Sequence, residues 1–381
     1  MKRQKICIIG GSLTGLVTAI ALSKLDCDID LITENTKKNI KTNRTLAISE
    51  DNLNFLNKLN ISKSLKKEIW PCSEMKLYTE VKDRKFSEIF ELNKNKQKKV
   101  LYMLRNSKMK ELMIERIKQI KSISLRKKGR INEIYSSGLL KSIKLDNQEF
   151  KYNLIIICSG NNSKLGKNHF SRKMIESSYG EESIVTILKH DKIKNNVARQ
   201  IFLDDSILAL LPISNTETSV VYSLKKKVAN KDYLLIKKKI KFYVKNFIKG
   251  VKFIKNIERK DLNFLIRNEY YKDRVLLFGD ALHIIHPFVG QGFNMTLRDL
   301  SYLKKILGKK INLGLDIGSI DILSEFSSVI KPRNFLFSAS MNFLKNSLSY
   351  KELRNNTFKI LNKSNVAKNI FFNVADKGFK F

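Results

Sequence analysis

One segment near the start of the chain restricts the possible fold more than any other feature of the sequence. Residues 5–10 are mostly apolar and β-branched and end at glycine, which is typical of a buried strand. Residues 13–25 carry leucine, valine and isoleucine at helical spacing, and residues 27–34 return to a strand pattern. The sequence therefore predicts a strand, a helix and a second parallel strand, which is the opening unit of an α/β fold.

The turn between the first strand and the helix reads GGSLTG, from Gly10 to Gly15. In a dinucleotide-binding fingerprint the first glycine makes the turn, the second admits the pyrophosphate, and the third lets helix and strand pack closely. Gly10 and Gly15 occupy the first and third places, and Ser12 replaces the second glycine. Glu34 lies 24 residues after Gly10, where a carboxylate accepts ribose hydroxyls. The pattern predicts a bound dinucleotide; the alternative is a βαβ unit whose glycines serve packing only.

The rest of the chain adds two buried strands, at 153–160 and 274–279, and a run of short alternating segments over 182–225 that predicts an antiparallel sheet. Helices are predicted over 53–65, 106–120 and 232–247, and the chain after residue 279 reads as mostly helical. We therefore predict three regions: a discontinuous Rossmann-like domain of residues 1–72, 98–170 and 270–315, an antiparallel-sheet domain of residues 73–97 and 171–269, and a C-terminal helical region of residues 316–381.

A second group of chemically informative residues follows the last buried strand. The segment 278–300 reads FGDALHIIHPFVGQGFNMTLRDL, with Gly279 and Asp280 at the strand end. Its loop contains Gly290 and Gly292 and leads directly into an apolar-periodic helix. The start of such a helix presents unpaired backbone N–H groups and a positive dipole end, which favour a bound anion.

Metal and disulfide chemistry are not predicted. His283 and His286 have a spacing that suits a metal ion, but no third ligand accompanies them. The imidazole of His286 either touches a ligand or is a satisfied structural histidine. The four cysteines lie far apart and form no CxxC pair, which indicates a reducing compartment.

Several segments, in this order, resemble one family. The segment NRTLAIS at 43–49 carries an arginine after the second strand, VLYMLRNSKMKELM at 100–113 leads into a helix, and the substrate-sheet segments are NNVARQIF, ILALLPI and SVVYS. PRNFLFSASMNFL and LRNNTF resemble the family's C-terminal helices. Together with the two glycine-containing segments, they resemble the group A flavoprotein aromatic monooxygenases, and more narrowly the ubiquinone-biosynthesis FAD-dependent hydroxylase family. The resemblance covers nearly the whole chain.

The resemblance implies a para-hydroxybenzoate hydroxylase-like fold: a Rossmann-like FAD-binding domain interleaved with an antiparallel-sheet substrate domain and followed by C-terminal helices. In that family the aspartate matching Asp280 binds the ribityl chain, and the loop from Pro287 to Asn294 lies against the isoalloxazine ring. Arg44 and Asn106 match residues that approach the flavin. The implied FAD-binding residues are Gly10, Ser12, Gly15, Glu34, Arg44, Asn106, Gly279, Asp280, Pro287, Gly290, Gln291, Gly292, Phe293 and Asn294.

The implied reaction is hydroxylation of the aromatic ring of a polyprenylated phenol, with O2 and NAD(P)H, through a flavin C4a-hydroperoxide. No catalytic acid or base is assigned, because the cofactor supplies the chemistry. Ser159 stands where the family usually has an aspartate, and the family links that aspartate to pyrophosphate and nicotinamide handling. Ser12 and Ser159 therefore motivate an alternative, a catalytically weakened FAD-binding accessory subunit of a quinone-biosynthesis assembly.

The chain is strongly basic, with 73 lysines and arginines against 36 acidic residues and a net charge of +37. Such a charge attracts polyanions, but no RNA- or DNA-binding motif accompanies it, so nucleic acid is not an expected partner. We expect a cytoplasmic protein at the inner face of an anionic membrane, or bound to other quinone-biosynthesis proteins. The C-terminal helices, in which phenylalanine and leucine alternate with lysine, are the expected contact. The alternative is that the lysines cover a solvated surface and these apolar residues pack on the flavin domain.

Overall fold

The computed structural model describes residues 3–33, 42–61, 65–81, 85–93, 99–127, 131–145, 148–160, 164–170, 173–229, 233–254, 257–287, 290–347 and 350–378. Glu34, one of the predicted cofactor residues, lies outside these ranges. Residues 288–289 of the predicted cofactor loop also lie outside them.

The strands among the described residues are β1 (Gln4–Ile9), β2 (Cys27–Thr33), β3 (Thr45–Ile48), β4 (Trp70–Cys72), β5 (Glu74–Glu80), β6 (Phe86–Asn93), β7 (Leu101–Arg105), β8 (Ile123–Lys127), β9 (Ile131–Ser137), β10 (Leu140–Leu145), β11 (Gln148–Tyr152), β12 (Leu154–Ile157), β13 (Lys173–Lys189), β14 (Val197–Phe202), β15 (Ser206–Pro212), β16 (Glu217–Lys225), β17 (Lys252–Phe253), β18 (Glu258–Arg267), β19 (Tyr271–Lys272), β20 (Val275–Leu277) and β21 (His283–Ile284). The helices are α1 (Leu13–Leu22), α2 (Glu50–Lys58), α3 (Leu65–Glu68), α4 (Asn106–Lys118), α5 (Lys164–His169), α6 (Lys226–Ala229), α7 (Tyr233–Val244), α8 (Gln291–Asn312), α9 (Ile320–Ser347), α10 (Lys351–Lys363) and α11 (Asn365–Lys377).

A six-stranded sheet in the order β19-β20-β12-β1-β2-β8 contains the opening strand–helix–strand unit. Its neighbouring strands run parallel except at the edge strand β19. Ile9 lies opposite Ile32 on one side and Ile157 on the other, and all three side chains are buried. Such continuous burial is expected where helices cover both faces of a parallel sheet. The predicted α/β class, with three buried strands from distant parts of the chain in one parallel sheet, is confirmed.

The second large sheet has the order β21-β18-β13-β16-β15-β14-β5-β6, and β17 also pairs with β13. Its strands pair antiparallel, as predicted, except that β14 and β5 run parallel. Strand β21 joins this sheet although it belongs to segment 270–315, which we predicted for the Rossmann-like domain. The two sheets are thus connected through the chain directly before the cofactor loop, and the domain limits stay a prediction.

The long strand β13 contains a bulge. Ser178 pairs with Asn263 and Glu181 pairs with Leu262, so Tyr179 and Gly180 are extra residues on this strand. Gly180 has a φ of +64°, a backbone conformation that residues with a Cβ rarely adopt. Bulges bend a strand and change the direction of its side chains. This one places Tyr179 and Glu181 beside the loop that follows β21.

Two local predictions were wrong. The helix predicted over 53–65 begins earlier and ends at Lys58, because Asn60 adopts the left-handed backbone conformation with a φ of +54°. The chain after residue 279 is not free of strands, since β21 pairs with β18. The sequence analysis also missed strands β8 to β11, of which β9, β10 and β11 form a separate antiparallel sheet.

The C-terminal helices pack against the second large sheet. The ring of Phe358 in α10 lies 5.6 Å from that of Phe90 and 6.3 Å from that of Phe202, measured between centroids. All three are fully buried. The far end of the chain therefore completes the core beneath this sheet. Within the described ranges, no helix is long and apolar enough to cross a membrane.

Candidate functional site

The predicted cofactor residues Gly10, Gly15 and Gly279 lie together at one edge of the parallel sheet. Strands β20, β12 and β1 are adjacent and parallel, and each ends next to a predicted or singled-out residue: Gly279, Ser159 and Gly10. In open α/β sheets, ligands bind outside the carboxyl ends of the strands. The structure thus brings together segments that lie far apart in the sequence.

The glycines at this edge are required by close packing. Gly10 has a φ of +132°, and a Cβ built there would lie 2.9 Å from the carbonyl carbon of Cys158. A Cβ on Gly15 would lie 1.9 Å from the carbonyl oxygen of Gly10. Gly279 has a φ of +64°, and its Cβ would lie 2.6 Å from Cγ2 of Thr14 in α1. These contacts hold the first helix against the ends of β1 and β20, as the fingerprint predicts.

The N-terminus of α1 is available to an anion. Ser12 is the N-cap residue, but its hydroxyl donates to the carbonyl oxygen of Cys158 at 3.3 Å and does not cap the helix. The first turn contains no acidic residue. The first N–H groups of a helix have no intrahelical partner, and the helix dipole places positive charge there. This end of α1 is therefore suited to a pyrophosphate.

The residue that departs from the family pattern at β12, Ser159, lies at the same edge. Its hydroxyl is buried and has no hydrogen-bond partner among the described residues. Gly160, the next residue, has a φ of +78°, and a Cβ there would meet nothing within 4 Å. An unpaired hydroxyl beside open space indicates a position that a ligand completes.

Arg44 and Asn106, for which the resemblance implies contacts with the flavin, are neighbours in the structure. The backbone N–H of Asn106 donates to the carbonyl oxygen of Arg44 at 2.9 Å, next to the pairing of β3 with β7. The Arg44 guanidinium forms an ion pair with Glu258 of β18, with 2.9 Å between Nε and Oε1. Thr42 and the backbone of Asn43 also donate to Glu258. In this structure, Arg44 therefore connects the segment directly before β3 to strand β18 of the second sheet.

The start of α8 forms the other side of the site. Gly290 is the N-cap, in the left-handed conformation, and its Cβ would lie 2.9 Å from Cβ of Ala47. A Cβ on Gly292 would meet nothing within 4 Å. The first turn has neither a capping side chain nor an acidic residue. The side-chain oxygen of Gln291 is buried without a partner among the described residues. The first turn of α8 thus combines a helix N-terminus without a capping side chain, open space at Gly292 and a buried polar atom without a partner among the described residues.

Two predicted residues of this loop use their side chains for the fold. The Asn294 amide donates to the carbonyl oxygen of Ala47 at 2.8 Å and accepts from the backbone of Ser49 at 3.1 Å. Phe293 packs against the main hydrophobic core. Any contact of Asn294 with a cofactor would therefore come from its backbone, whereas the Phe293 side chain is half-buried. By contrast, Asp280 and Pro287 are exposed, and Asp280 has no hydrogen-bond partner in the described part of the chain.

The sequence analysis missed a buried polar cluster beside this loop. The Nε2 atom of His286 lies 3.2 Å from Oε2 of Glu181, and Nζ of Lys345 lies 2.7 Å from Oε1 of the same carboxylate. The edge of the Tyr179 ring meets the His286 ring, with centroids 5.2 Å apart. We define Tyr179, Glu181, His286 and Lys345 as the histidine cluster. The glycine inside the β13 pattern was the available signal, because it indicated a bulge.

Burial and neighbouring charges set the ionisation of this cluster. Burial alone would raise the pKa of Glu181, but hydrogen bonds from His286 and Lys345 outweigh it and lower that pKa. Burial raises the pKa of Tyr179 to about 12. At neutral pH the cluster therefore contains a carboxylate and a protonated phenol side chain.

His283 and His286 do not face a common ligand. Nε2 of His283 lies 3.1 Å from Oδ2 of Asp299, which also accepts from Asn334 at 2.8 Å. His286 instead contacts Glu181. Within the described ranges, no three histidine, cysteine or acidic residues are placed to hold a metal ion. The His283 contact joins the strand before the loop to helices α8 and α9.

The arrangement fits FAD. It offers two helix N-termini without a capping side chain, of α1 and α8, and an exposed carboxylate at Asp280, in the chain between β20 and α8. The side-chain atoms of Ser159 and Gln291 that have no partner among the described residues directly follow β12 and begin α8, respectively. Helix N-termini bind phosphates and stabilise developing negative charge, and a carboxylate accepts hydrogen bonds from hydroxyl groups.

Comparison with known proteins agrees with this site. A family model described as an FAD binding domain matches residues 3–314. The chain is 23% identical to the mitochondrial ubiquinone biosynthesis monooxygenase COQ6 of Dictyostelium discoideum, over 97% of this chain and 90% of that protein. It is 21% identical to ubiquinone hydroxylase UbiM of Neisseria meningitidis, over 85% of this chain and 72% of that protein.

Among solved structures, the fold is similar to that of p-nitrophenol 4-monooxygenase PnpA from Pseudomonas putida. The TM-score is 0.81 at 14% identity, over 100% of this chain and 99% of that one. The fold predicted from the sequence is thus confirmed, and so is FAD as the cofactor. The chain belongs to the FAD-binding domain family and, within it, to the ubiquinone-biosynthesis FAD-dependent hydroxylases.

Proposed function

We propose that this protein hydroxylates the aromatic ring of a polyprenylated phenol in ubiquinone biosynthesis, with O2 and NAD(P)H as co-substrates. The observation that supports the proposal is the pair of helix N-termini without a capping side chain, of α1 and α8, together with the exposed Asp280 carboxylate in the chain between β20 and α8. The relatives are a ubiquinone biosynthesis monooxygenase and a ubiquinone hydroxylase, which supports a ubiquinone precursor as the substrate.

Each part of the site would hold one part of the cofactor. The free N–H groups of α1 would bind the pyrophosphate, and Asp280 would accept hydrogen bonds from the ribityl hydroxyls. The α8 N-terminus would stabilise negative charge on the reduced ring through its dipole and backbone N–H groups. When bound, the flavin supplies the redox chemistry: it takes electrons from the nicotinamide and transfers one oxygen atom of O2 to the substrate.

The second sheet would position the phenol. Its face beneath the C-terminal helices carries buried Phe90, Phe202 and Phe264, and Met295 and Met341 belong to the same core. Phe90 and Phe202 already pack on Phe358, so the apolar wall that suits a prenylated ring would be the part of this core next to the cofactor loop, at Ile285 and Met295. Exclusion of water there would prevent side reactions of reactive intermediates. The protein then needs few polar groups beyond those that orient the ring.

Purified, FAD-loaded protein tests the reaction. We expect NADH- or NADPH-dependent oxygen consumption that rises when a short-chain prenylated phenol is added, together with a product heavier by one oxygen atom. Asp280→Ala should remove a charge-assisted hydrogen bond of about 1.5–3 kcal/mol, which weakens FAD binding by about tenfold to more than a hundredfold. Asp261→Asn is the matched control, because Asp261 is exposed and pairs with Lys226 on the second sheet.

The same assay decides between this proposal and a catalytically weakened accessory subunit. Ser12 and Ser159 motivate that alternative, because both lie where the pyrophosphate would bind. Protein that binds FAD stoichiometrically but consumes no oxygen with any prenylated phenol would contradict the enzyme proposal and support the accessory role. Accumulation of a non-hydroxylated quinone precursor in a deletion strain, restored by the wild-type chain, would support the enzyme.

We further propose that the C-terminal helices contact an anionic membrane or another quinone-biosynthesis protein, where a substrate with a polyprenyl tail would reside. Ile360 of α10 and Val366 and Ile370 of α11 are apolar and 60–70% exposed. Lys363 lies between them and is also exposed. Exposed apolar residues next to lysine suit an interfacial helix on anionic lipid.

A further inference from the structure

The histidine cluster lies where three parts of the chain meet: the β13 bulge, the residue before Pro287 in the cofactor loop, and helix α9. We propose that His286 is a catalytic residue whose Nδ1 atom accepts the proton of the substrate's phenol hydroxyl. The inference rests on the proposed function, because it concerns the same site and the same class of substrate.

Glu181 determines which nitrogen of His286 can act. A carboxylate can only accept a hydrogen bond, so the 3.2 Å contact with Oε2 requires the hydrogen of the neutral ring to be on Nε2. The Nδ1 atom then carries the lone pair. A base oriented by a carboxylate through its other ring nitrogen is the arrangement that enzymes use to activate hydroxyl groups.

The Nδ1 atom of His286 has no hydrogen-bond partner among the described residues, although the side chain is only 2% exposed. His190 shows the opposite situation in the same protein. It is also buried, but its Nδ1 contacts the carbonyl oxygen of Asp191 at 2.8 Å and its Nε2 contacts the hydroxyl of Thr218 at 2.9 Å. A satisfied structural histidine therefore looks like His190, whereas His286 retains an unused acceptor that a ligand can complete.

Groups from two other elements of the fold surround His286. Strand β13 contributes Glu181, a carboxylate, and Tyr179, whose ring edge meets the imidazole. Helix α9 contributes Lys345, which contacts Glu181 rather than the imidazole. His283, on the same segment of chain as His286, is bonded to Asp299. An imidazolium between the substrate and Glu181 would therefore be stabilised by the carboxylate next to it.

The proton transfer is balanced within the site. The phenol O–H bond breaks, the Nδ1–H bond of His286 forms, and the electron pair stays on the oxygen as a phenolate. No oxidant or reductant takes part in this step. A phenolate ring is richer in electrons than a phenol ring, so it reacts more readily with an electrophilic oxygen.

The ionisation of a bound phenol can be measured without turnover. The probe is 2-allyl-4-fluorophenol, whose 19F resonance reports its ionisation, added to FAD-loaded protein in the absence of a reductant. In the wild type, we expect the pKa of the bound probe to lie about one unit or more below that of the free probe. His286→Gln should abolish this shift, because an amide cannot take up the proton. Glu181→Gln, which removes the stabilising charge, should reduce the shift.

His190→Gln is the matched control, and it should titrate like the wild type. The FAD content of each variant, read from its absorbance, reports whether the site has folded. A wild-type protein that does not bind the probe, or binds it with an unshifted pKa, would overturn the inference. An undiminished shift in His286→Gln would do the same. A wild-type protein that ionises the probe through His286 but forms no hydroxylated product would contradict the proposed function and leave the inference about His286 standing.

Discussion

Replacing Gly279 by alanine tests whether the two glycine-containing segments depend on one close contact. Gly279 has a φ of +64°, and a Cβ there would lie 2.6 Å from Cγ2 of Thr14. The substitution therefore adds backbone strain and a steric clash. Gly314 separates the two effects, because it has a φ of +72° and a Cβ there would meet nothing within 4 Å.

The expected free-energy changes follow from these two geometries. Gly314→Ala should lower the free energy of unfolding by about 1–2 kcal/mol, because alanine is strained in the left-handed conformation. Gly279→Ala should cost the same amount plus about 1–3 kcal/mol for overpacking against a buried neighbour. Thr14→Ser removes the methyl group that clashes, so in the double variant Gly279→Ala/Thr14→Ser most of the second contribution should disappear.

Urea unfolding followed by far-UV circular dichroism, with saturating FAD, measures the four variants and the wild type. FAD affinity should weaken in Gly279→Ala and stay at the wild-type value in Gly314→Ala, because only the first contact lies at the cofactor edge. Equal destabilisation by the two alanine variants would refute the reasoning. An absence of coupling between positions 14 and 279 would refute it as well.

Three further predictions concern other parts of the molecule. Restoring the family residues with Ser12→Gly and Ser159→Asp should raise the rate of flavin reduction by NAD(P)H in stopped-flow measurements, and an unchanged or slower rate would contradict this. Cosedimentation with vesicles should require anionic lipid, weaken with salt as surface charges are screened, and fall when residues 368–381 are removed; equal binding to neutral vesicles would contradict charge-driven docking. Burial would raise the pKa of Asp316, but the hydrogen bonds from Arg274, Gly318 and Asn153 and the charge of Arg274 together outweigh burial and lower the pKa. Its stabilisation is therefore complete above the unfolded pKa and is lost as the pH falls through the folded value. Urea unfolding of the wild type and Asp316→Asn should thus differ at neutral pH and converge in acid.

The parts of the fold that sequence predicted well are those that depend on local pattern. The strand ending at Gly10 and the strand ending at Gly279 are short, apolar and followed by glycine, so their type and limits follow from nearby residues. The end of α2 was wrong because the conformation of Asn60 depends on the chain around it and not on helical periodicity. The parallel pairing of β14 with β5 could not be predicted either, because pairing between distant segments is not indicated by the local sequence pattern.

The same distinction between local pattern and contacts of distant segments applies to the candidate site. The close packing at Gly10, Gly15 and Gly279 was predictable, because it comes from backbone geometry next to a strand end. The role of Asp280 stays a prediction. The histidine cluster was not predictable, because Glu181, His286 and Lys345 come from three elements that meet only in the folded chain. The Arg44 ion pair with Glu258 is a further example of a contact between distant segments.

The strand order of the parallel sheet also has a consequence for synthesis. Strand β12 lies between β1 and β20, and its residues Leu154 to Ile157 are fully buried in the finished protein. While the chain is being made, β1, with β2 on its other side, can pair with β12 long before residue 275 leaves the ribosome. During that interval β12 is an apolar edge strand with unpaired backbone groups, which is the kind of surface that starts aggregation. The nascent chain is therefore most exposed to misassembly between the synthesis of β12 and of β20, which makes this interval the one in which chaperone protection matters most.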